Sequence, residues 1–162
     1  MVDASDATEL VGWLIETVDA NWPGGDLPET LRLVDRDNSE IYDGVEALRS
    51  REGELQRANY LSFASASTTP TPEGPGYCLQ RDDVVSCRLE GLHSDQFGHV
   101  NTPAEFEQLW NDIREAIYSD RIRPLDGYQT LFLQNIRHAS GDYRDYFRTD
   151  FEVRFNGREE LP

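Results

Sequence analysis

The chain contains no lysine; all 15 of its basic residues are arginine. Against them stand 31 Asp and Glu, for a formal net charge of −16. With no basic stripe to grip phosphates, non-specific nucleic-acid binding is disfavoured. Cysteine is nearly as scarce, with Cys78 and Cys87 alone, and no CxxC or Cys/His zinc spacing occurs. No run approaches the roughly 18 consecutive apolar residues of a membrane helix. The opening MVDASDATEL has neither a positive start nor an apolar stretch, so no secretory signal is expected. A GxSxG elbow, a phosphate loop and a GxGxxG fingerprint are all absent. These absences leave a globular chain whose motifs announce no reaction.

What is present is acid, spread evenly. Net charge is −9 over 1–81 and −7 over 82–162, and same-sign runs are no longer than Asp82-Asp83 or Glu159-Glu160. In dilute buffer such a coat destabilises the compact state by self-repulsion. At molar salt the Debye length falls to about 3 Å and the repulsion is screened. A dispersed carboxylate coat without lysine resembles the proteins of extreme halophiles. At 162 residues, with 38% apolar and 10% aromatic content, the chain is expected to fold as one domain, 1–162, that needs no disulfide or metal.

Helical spacing opens the sequence. Asp6 with Glu9 three residues on has the capping-box spacing. Leu10, Val11, Leu14, Ile15, Val18 and Trp22 then form one apolar stripe, which Pro23-Gly24-Gly25 ends. Residues 30–36 read as a short strand, 37–58 as a polar stretch without a clear element, and 59–67 as a strand. Thr68 to Gly76, TTPTPEGPG, is expected as an exposed extended connection because its prolines cannot serve a ladder. Strands at 77–81 and 84–92 are expected around an Asp82-Asp83 turn. That pairing would set Cys78 opposite Cys87, where either a bridge or two packed thiols is possible, the thiols being favoured in a reducing compartment.

A second helix is marked by Thr102 as N-cap, Pro103 at its first position and Glu105 at its third. Phe106, Leu109, Trp110, Ile113, Ala116 and Ile117 line one face of it to about Arg121. Residues 128–140 read as a strand and Gly141-Asp142 as a turn. In 146–156, Phe147, Thr149, Phe151, Val153 and Phe155 face the core and the residues between them face outward. The predicted class is α+β: a twisted, mainly antiparallel sheet of about five to six strands with two helices packed on one face.

Candidate chemistry is thin. His93, Asp95 and His99 offer two imidazoles and a carboxylate for a divalent metal, but no fourth ligand, and polar loop residues are expected there anyway. Ser140, His138 and Asp142 are the parts of a hydrolytic triad, yet neighbours this close along a strand do not converge. No cofactor and no catalytic residue are assigned. Tyr143 and Tyr146 with Arg144 and Arg148 form a turn of interface composition. Seven of the 15 Arg (121, 123, 137, 144, 148, 154 and 158) fall in the last 42 residues. Part of that face, Arg148 and Arg154 above all, is expected to meet the acidic face of a neighbouring copy through bidentate pairs.

The order of elements, with a long loop at 68–76, a capped helix at 102–121 and the closing DYFRTDFEVRF (145–155), resembles the tail terminator, or tail completion, proteins of tailed viruses. The host implied by the composition is a halophile. The resemblance spans roughly 10–156. It implies a non-enzymatic virion protein, assembled in the host cytoplasm, that forms a ring of typically six subunits at the head-proximal end of the tail tube. Its partners would be sibling copies, the tube protein and the head-side neck protein, with genome DNA passing through the opening unbound and no membrane contact. Thr69, Pro70, Thr71 and Pro72 would then belong to a partner-docking loop. The alternatives are a head-closure or adaptor neck protein, or a cellular halophilic module that binds a small ligand or a protein.

Overall fold

A computed structural model describes residues 7–28, 30–35, 59–73, 78–92, 103–125, 127–138 and 146–160. In chain order these form α1 (Ala7–Ala20), β1 (Leu31–Asp35), β2 (Asn59–Glu73), β3 (Cys78–Leu92), α2 (Pro103–Tyr118), β4 (Tyr128–His138) and β5 (Tyr146–Glu160). The strands make one five-stranded sheet in the order β1-β2-β3-β5-β4, parallel only between β1 and β2. The fold is α+β and the sheet does not close on itself. Among the described residues no helix is long and apolar enough to cross a membrane.

Both helices lie on one face of this sheet because their apolar stripes match its alternation. Leu10, Val11, Leu14, Val18 and Trp22 of α1 and its C-terminal turn are buried, as are Phe106, Trp110, Ile113, Ala116 and Ile117 of α2. Each such side chain contributes about 1.5–3 kcal/mol on leaving water. They meet Leu61 and Phe63 of β2, Val85, Cys87 and Leu89 of β3, Leu131 and Leu133 of β4, and Phe151, Val153 and Phe155 of β5. Trp13 of α1 stands edge-on to Phe155, and Trp110 of α2 edge-on to Phe151. The left-handed Gly24 and Gly25, at φ 89° and 106°, turn the chain out of α1 as the PGG run requires.

The TTPTPEGPG segment departs from expectation, since β2 continues through it to Glu73, with Pro70 opposite Arg81 and Pro72 opposite Leu79. The reason is a phase change. The N–H of Asn59 donates to Thr30 O, so odd-numbered residues at the start of β2 address the β1 side and even-numbered ones address β3. The register shift between Ser65 and Ser67 inserts Ala66 as a bulge and reverses this order. Pro70 and Pro72 then present their missing N–H positions to the side away from β3. Beyond Phe63 no described strand lies on that side, so neither proline costs a ladder bond.

The Asp82-Asp83 turn is also overturned. β3 runs unbroken from Cys78 to Leu92, and Asp82 and Asp83 are flanked by Thr69 and Thr68 on one side and Asn156 and Phe155 on the other. The two cysteines therefore belong to one strand, nine residues and roughly 30 Å apart, and cannot bridge or touch. Cys87 is a buried thiol in register between Phe63 and Phe151, its Sγ donating to Val85 O at 3.7 Å. Hairpin pairing was assigned one strand too early: β3 pairs β2 and β5, not its own two halves.

Candidate interaction surface

The helix-free face of the sheet carries the polar half of each strand. From β3 to β5 the residues pair as Asp82 with Asn156, Val84 with Arg154, Ser86 with Glu152, Arg88 with Asp150 and Glu90 with Arg148. Like charges therefore never stand directly opposite, which favours the register. Asp150 accepts from Arg88 Nε at 3.0 Å and from Arg148 Nε at 3.0 Å, one carboxylate between two guanidinium groups. Asp82 accepts from Arg154 Nη2 at 2.6 Å and from Asn156 Nδ2 at 3.0 Å. The hydrogen bond that Arg154 donates to Asp82 holds the Arg154 pKa above its ordinary value, with desolvation opposing it. The same guanidinium lies 5.6 Å from the ring centre of Phe132 on β4. Gln134 Nε2 donates to Glu152 at 3.1 Å. At the far end Tyr60, Ser62 and Glu90 are buried, with Glu90 in register between Tyr60 and Arg148.

The β4 margin is built differently. Odd-numbered residues of β4 turn their backbone groups away from β5, and the chain entering β4 meets them. Arg123 N–H donates to Gln129 O, Leu131 N–H donates to Arg121 O, and Leu133 N–H donates to the Tyr118 hydroxyl at 3.1 Å. Residues 121–123 thus shield the first half of this sheet edge. That arrangement turns Ile122 outward, 69% exposed, between two exposed arginines. Further along, a second register shift between Gln134 and Arg137 carries Asn135 at φ 51°, a left-handed conformation that Asn tolerates, and leaves Ile136 44% exposed. Phe132 is 38% exposed between them. Ile122, Phe132 and Ile136 are all of the exposed large apolar side chains among the described residues.

A polar pair lies inside the core at the same end of the sheet. The Tyr128 hydroxyl donates to the Asp83 carboxylate, both buried, beside the Tyr128 to Phe155 ring contact. Opposite Tyr128, a Cβ on Gly157 would stand 2.3 Å from Gly127 O, so this crossing of β4 and β5 accepts only glycine.

The residues singled out by sequence fall into three groups. Arg148 and Arg154 are on the helix-free face as expected, but each is answered by an aspartate of its own chain. Thr69, Pro70, Thr71 and Pro72 lie in the ladder of β2 rather than in a loop. Tyr143, Arg144, His93, Asp95, His99, Ser140, Asp142 and the 37–58 stretch fall outside the described residues. His138 is exposed, with Nδ1 2.9 Å from Thr149 Oγ1 and its ring edge-on to Trp110. Among the described residues no group of three or more His, Cys, Asp or Glu is placed to hold a metal. The sequence reading counted Arg121 and Arg123 in the arginine-rich segment but passed over Ile122. Its signal was an apolar residue between two arginines, outside the period of both the helix before it and the strand after it. Comparison with protein-family models and with curated proteins finds no match for this chain.

Proposed function

We propose that the protein is a structural subunit of a homo-oligomeric ring, the tail terminator at the head-proximal end of a viral tail tube, working in concentrated salt. The observation that carries the reading is the one-sided distribution of exposed apolar side chains: Ile122, Phe132 and Ile136 all lie along one margin of an unclosed sheet. Exposed apolar side chains gathered along one margin of an otherwise acidic, polar molecule suit a contact with another protein. A margin on one flank that meets a different surface on the next copy is a heterologous contact, and such contacts close into rings when their rotation permits. The net charge of −16 suits a lumen through which duplex DNA slides without sticking, since like charge opposes contact with phosphates.

Electron microscopy and light scattering of the purified chain in molar potassium chloride test this reading. Rings of uniform subunit number are the expected result, together with tube, tape-measure and portal-type genes beside its own. A persistent single copy that binds a small ligand would replace the ring with a binding module.

A further inference from the structure

The ring reading leaves open which surfaces meet. Strand addition is the obvious route for an open sheet whose edge strands are β1 and β4, but part of each flank is obstructed. On β2 the outward positions beyond the bulge include Pro70 and Pro72, which have no N–H to give. On β4 the outward groups of Gln129, Leu131 and Leu133 are engaged by residues 118–123 of the same chain. At the 121–123 margin, side chains rather than a backbone ladder are what the surface offers.

The arginines separate into two populations. Arg88, Arg148 and Arg154 each contact an Asp within the sheet. Arg121 and Arg123, both exposed, have no carboxylate partner among the described residues; Arg121 Nη1 donates only to the Tyr118 carbonyl at 3.0 Å. Asp120, the one acid beside them in 119–123, accepts from Asn21 Nδ2 at 2.7 Å. In a chain with twice as many acids as bases, two arginines without a carboxylate contact on either side of an exposed isoleucine make an apolar spot edged by guanidinium groups, with Asp120 the adjoining acid. Its complement exists on the same molecule. The α1 helix has no basic residue, and Glu16 and Asp19 on its outer face, with Asp26 in the turn that follows, are exposed. Across the helical layer, α1 packs mainly on β2, with β1 and β3 beside it and Trp13 reaching Phe155 of β5, whereas α2 packs on β5 and β4; the two helices also meet, and Asn21 after α1 reaches Asp120.

We infer that the Arg121-Ile122-Arg123 margin of one copy docks on the acidic outer face of α1 in a second copy. This rests on the ring reading and adds the two surfaces to it. Ile122 supplies the desolvated centre, and the arginines grip Glu16, Asp19 and Asp26 of the neighbour at contact range. Contact range is where charge still acts at molar salt, because the screening length there is about 3 Å.

Sedimentation velocity in 2–3 M potassium chloride (roughly the regime in which the coat is screened) is the readout. Ile122→Asp and the double variant Arg121→Glu/Arg123→Glu should each raise the concentration for half-assembly about tenfold or more, with unchanged circular dichroism. Charge exchange, pairing that double variant with Glu16→Arg/Asp19→Arg, should restore mixed assembly. In a Cys78→Ser background, Ile122→Cys chains mixed with Asp19→Cys chains should form a disulfide-linked heterodimer on mild oxidation. A wild-type chain that assembles while these variants assemble equally well and no cross-link forms would overturn this docking and leave the ring intact. A wild-type chain that stays single at every concentration would overturn both.

Discussion

Arg154 and Arg123 belong to the same arginine-rich stretch of a lysine-free chain, yet their surroundings are opposite. Arg154 projects from the middle of the sheet, hydrogen-bonded to Asp82 at 2.6 Å and laid over Phe132. Arg123 sits at the β4 margin with φ 50°, exposed, beside an isoleucine that is 69% exposed. In the sheet interior, register sets Asp150 opposite Arg88 and Asp82 diagonal to Arg154, while Arg148 reaches Asp150 two residues along its own strand. A margin has no neighbouring strand, so its charges stay unanswered until something arrives. Position in the sheet, more than local sequence, separates arginines that an Asp of the same chain contacts from arginines without such a contact. Each variant below perturbs one side of that contrast.

The largest effect is expected where the two regions join. Gly157→Ala drives a methyl group to 2.3 Å from a backbone carbonyl that cannot move without shifting β4. A loss of about 3 kcal/mol in folding stability is expected by chemical denaturation at fixed salt. Because the β4 margin is displaced with it, assembly should fall as well. Intact assembly with lowered stability would show that the margin does not depend on this crossing.

Asp150→Arg tests the sheet interior. It removes the carboxylate shared by Arg88 and Arg148 and sets a third positive charge between them. The side chains are only 21–31% exposed, so the groups are partly shielded from solvent. A loss of about 2 kcal/mol is expected, smaller at molar salt than at 0.2 M (about 7 Å of screening length). Exchange of the other pair, Asp82→Arg with Arg154→Asp, should recover part of what each single change loses. A double-mutant cycle should give a coupling of about 0.5–1 kcal/mol. Zero coupling would place Arg154 with the unanswered arginines after all, and would return it to the list of candidate contacts.

The sequence disclosed the helices and the closing strand because their periods are long and unbroken. Leu10 to Trp22, Phe106 to Ile117 and Thr149 to Phe155 alternate as their elements require, and each stripe is buried. It misled where one inserted residue changes the meaning of those that follow. Ala66 is unremarkable in sequence, but as a bulge it decides that Pro70 and Pro72 face outward, which turns an apparent loop into strand. The Asp82-Asp83 pair has turn chemistry, yet Asp83 is buried against Tyr128 and Asp82 is held by Arg154 and Asn156, all from strands distant in sequence. Partners that far away leave no local mark. For the same reason the arginine count could not tell Arg148 and Arg154, each in contact with an Asp of the same chain, from Arg121 and Arg123.

Ile122→Ser should have the smallest effect on folding and is therefore the sharpest probe of the margin. Leu131, next to the Thr130 that pairs with Ile122, shows the contrast: its N–H donates to Arg121 O and its side chain is 3% exposed. Truncating Leu131 to Ala should remove a packed core group and lose about 2–4 kcal/mol. Ile122 has little packing to lose, so Ile122→Ser should change folding stability by no more than about 0.5 kcal/mol. A Tm series at several salt concentrations, with both variants held below the assembly concentration, reads the two against each other. If Ile122→Ser instead fell as far as Leu131→Ala, the isoleucine would be part of the fold's own packing. Without an apolar centre, the exposed arginines beside it would form only a solvated edge.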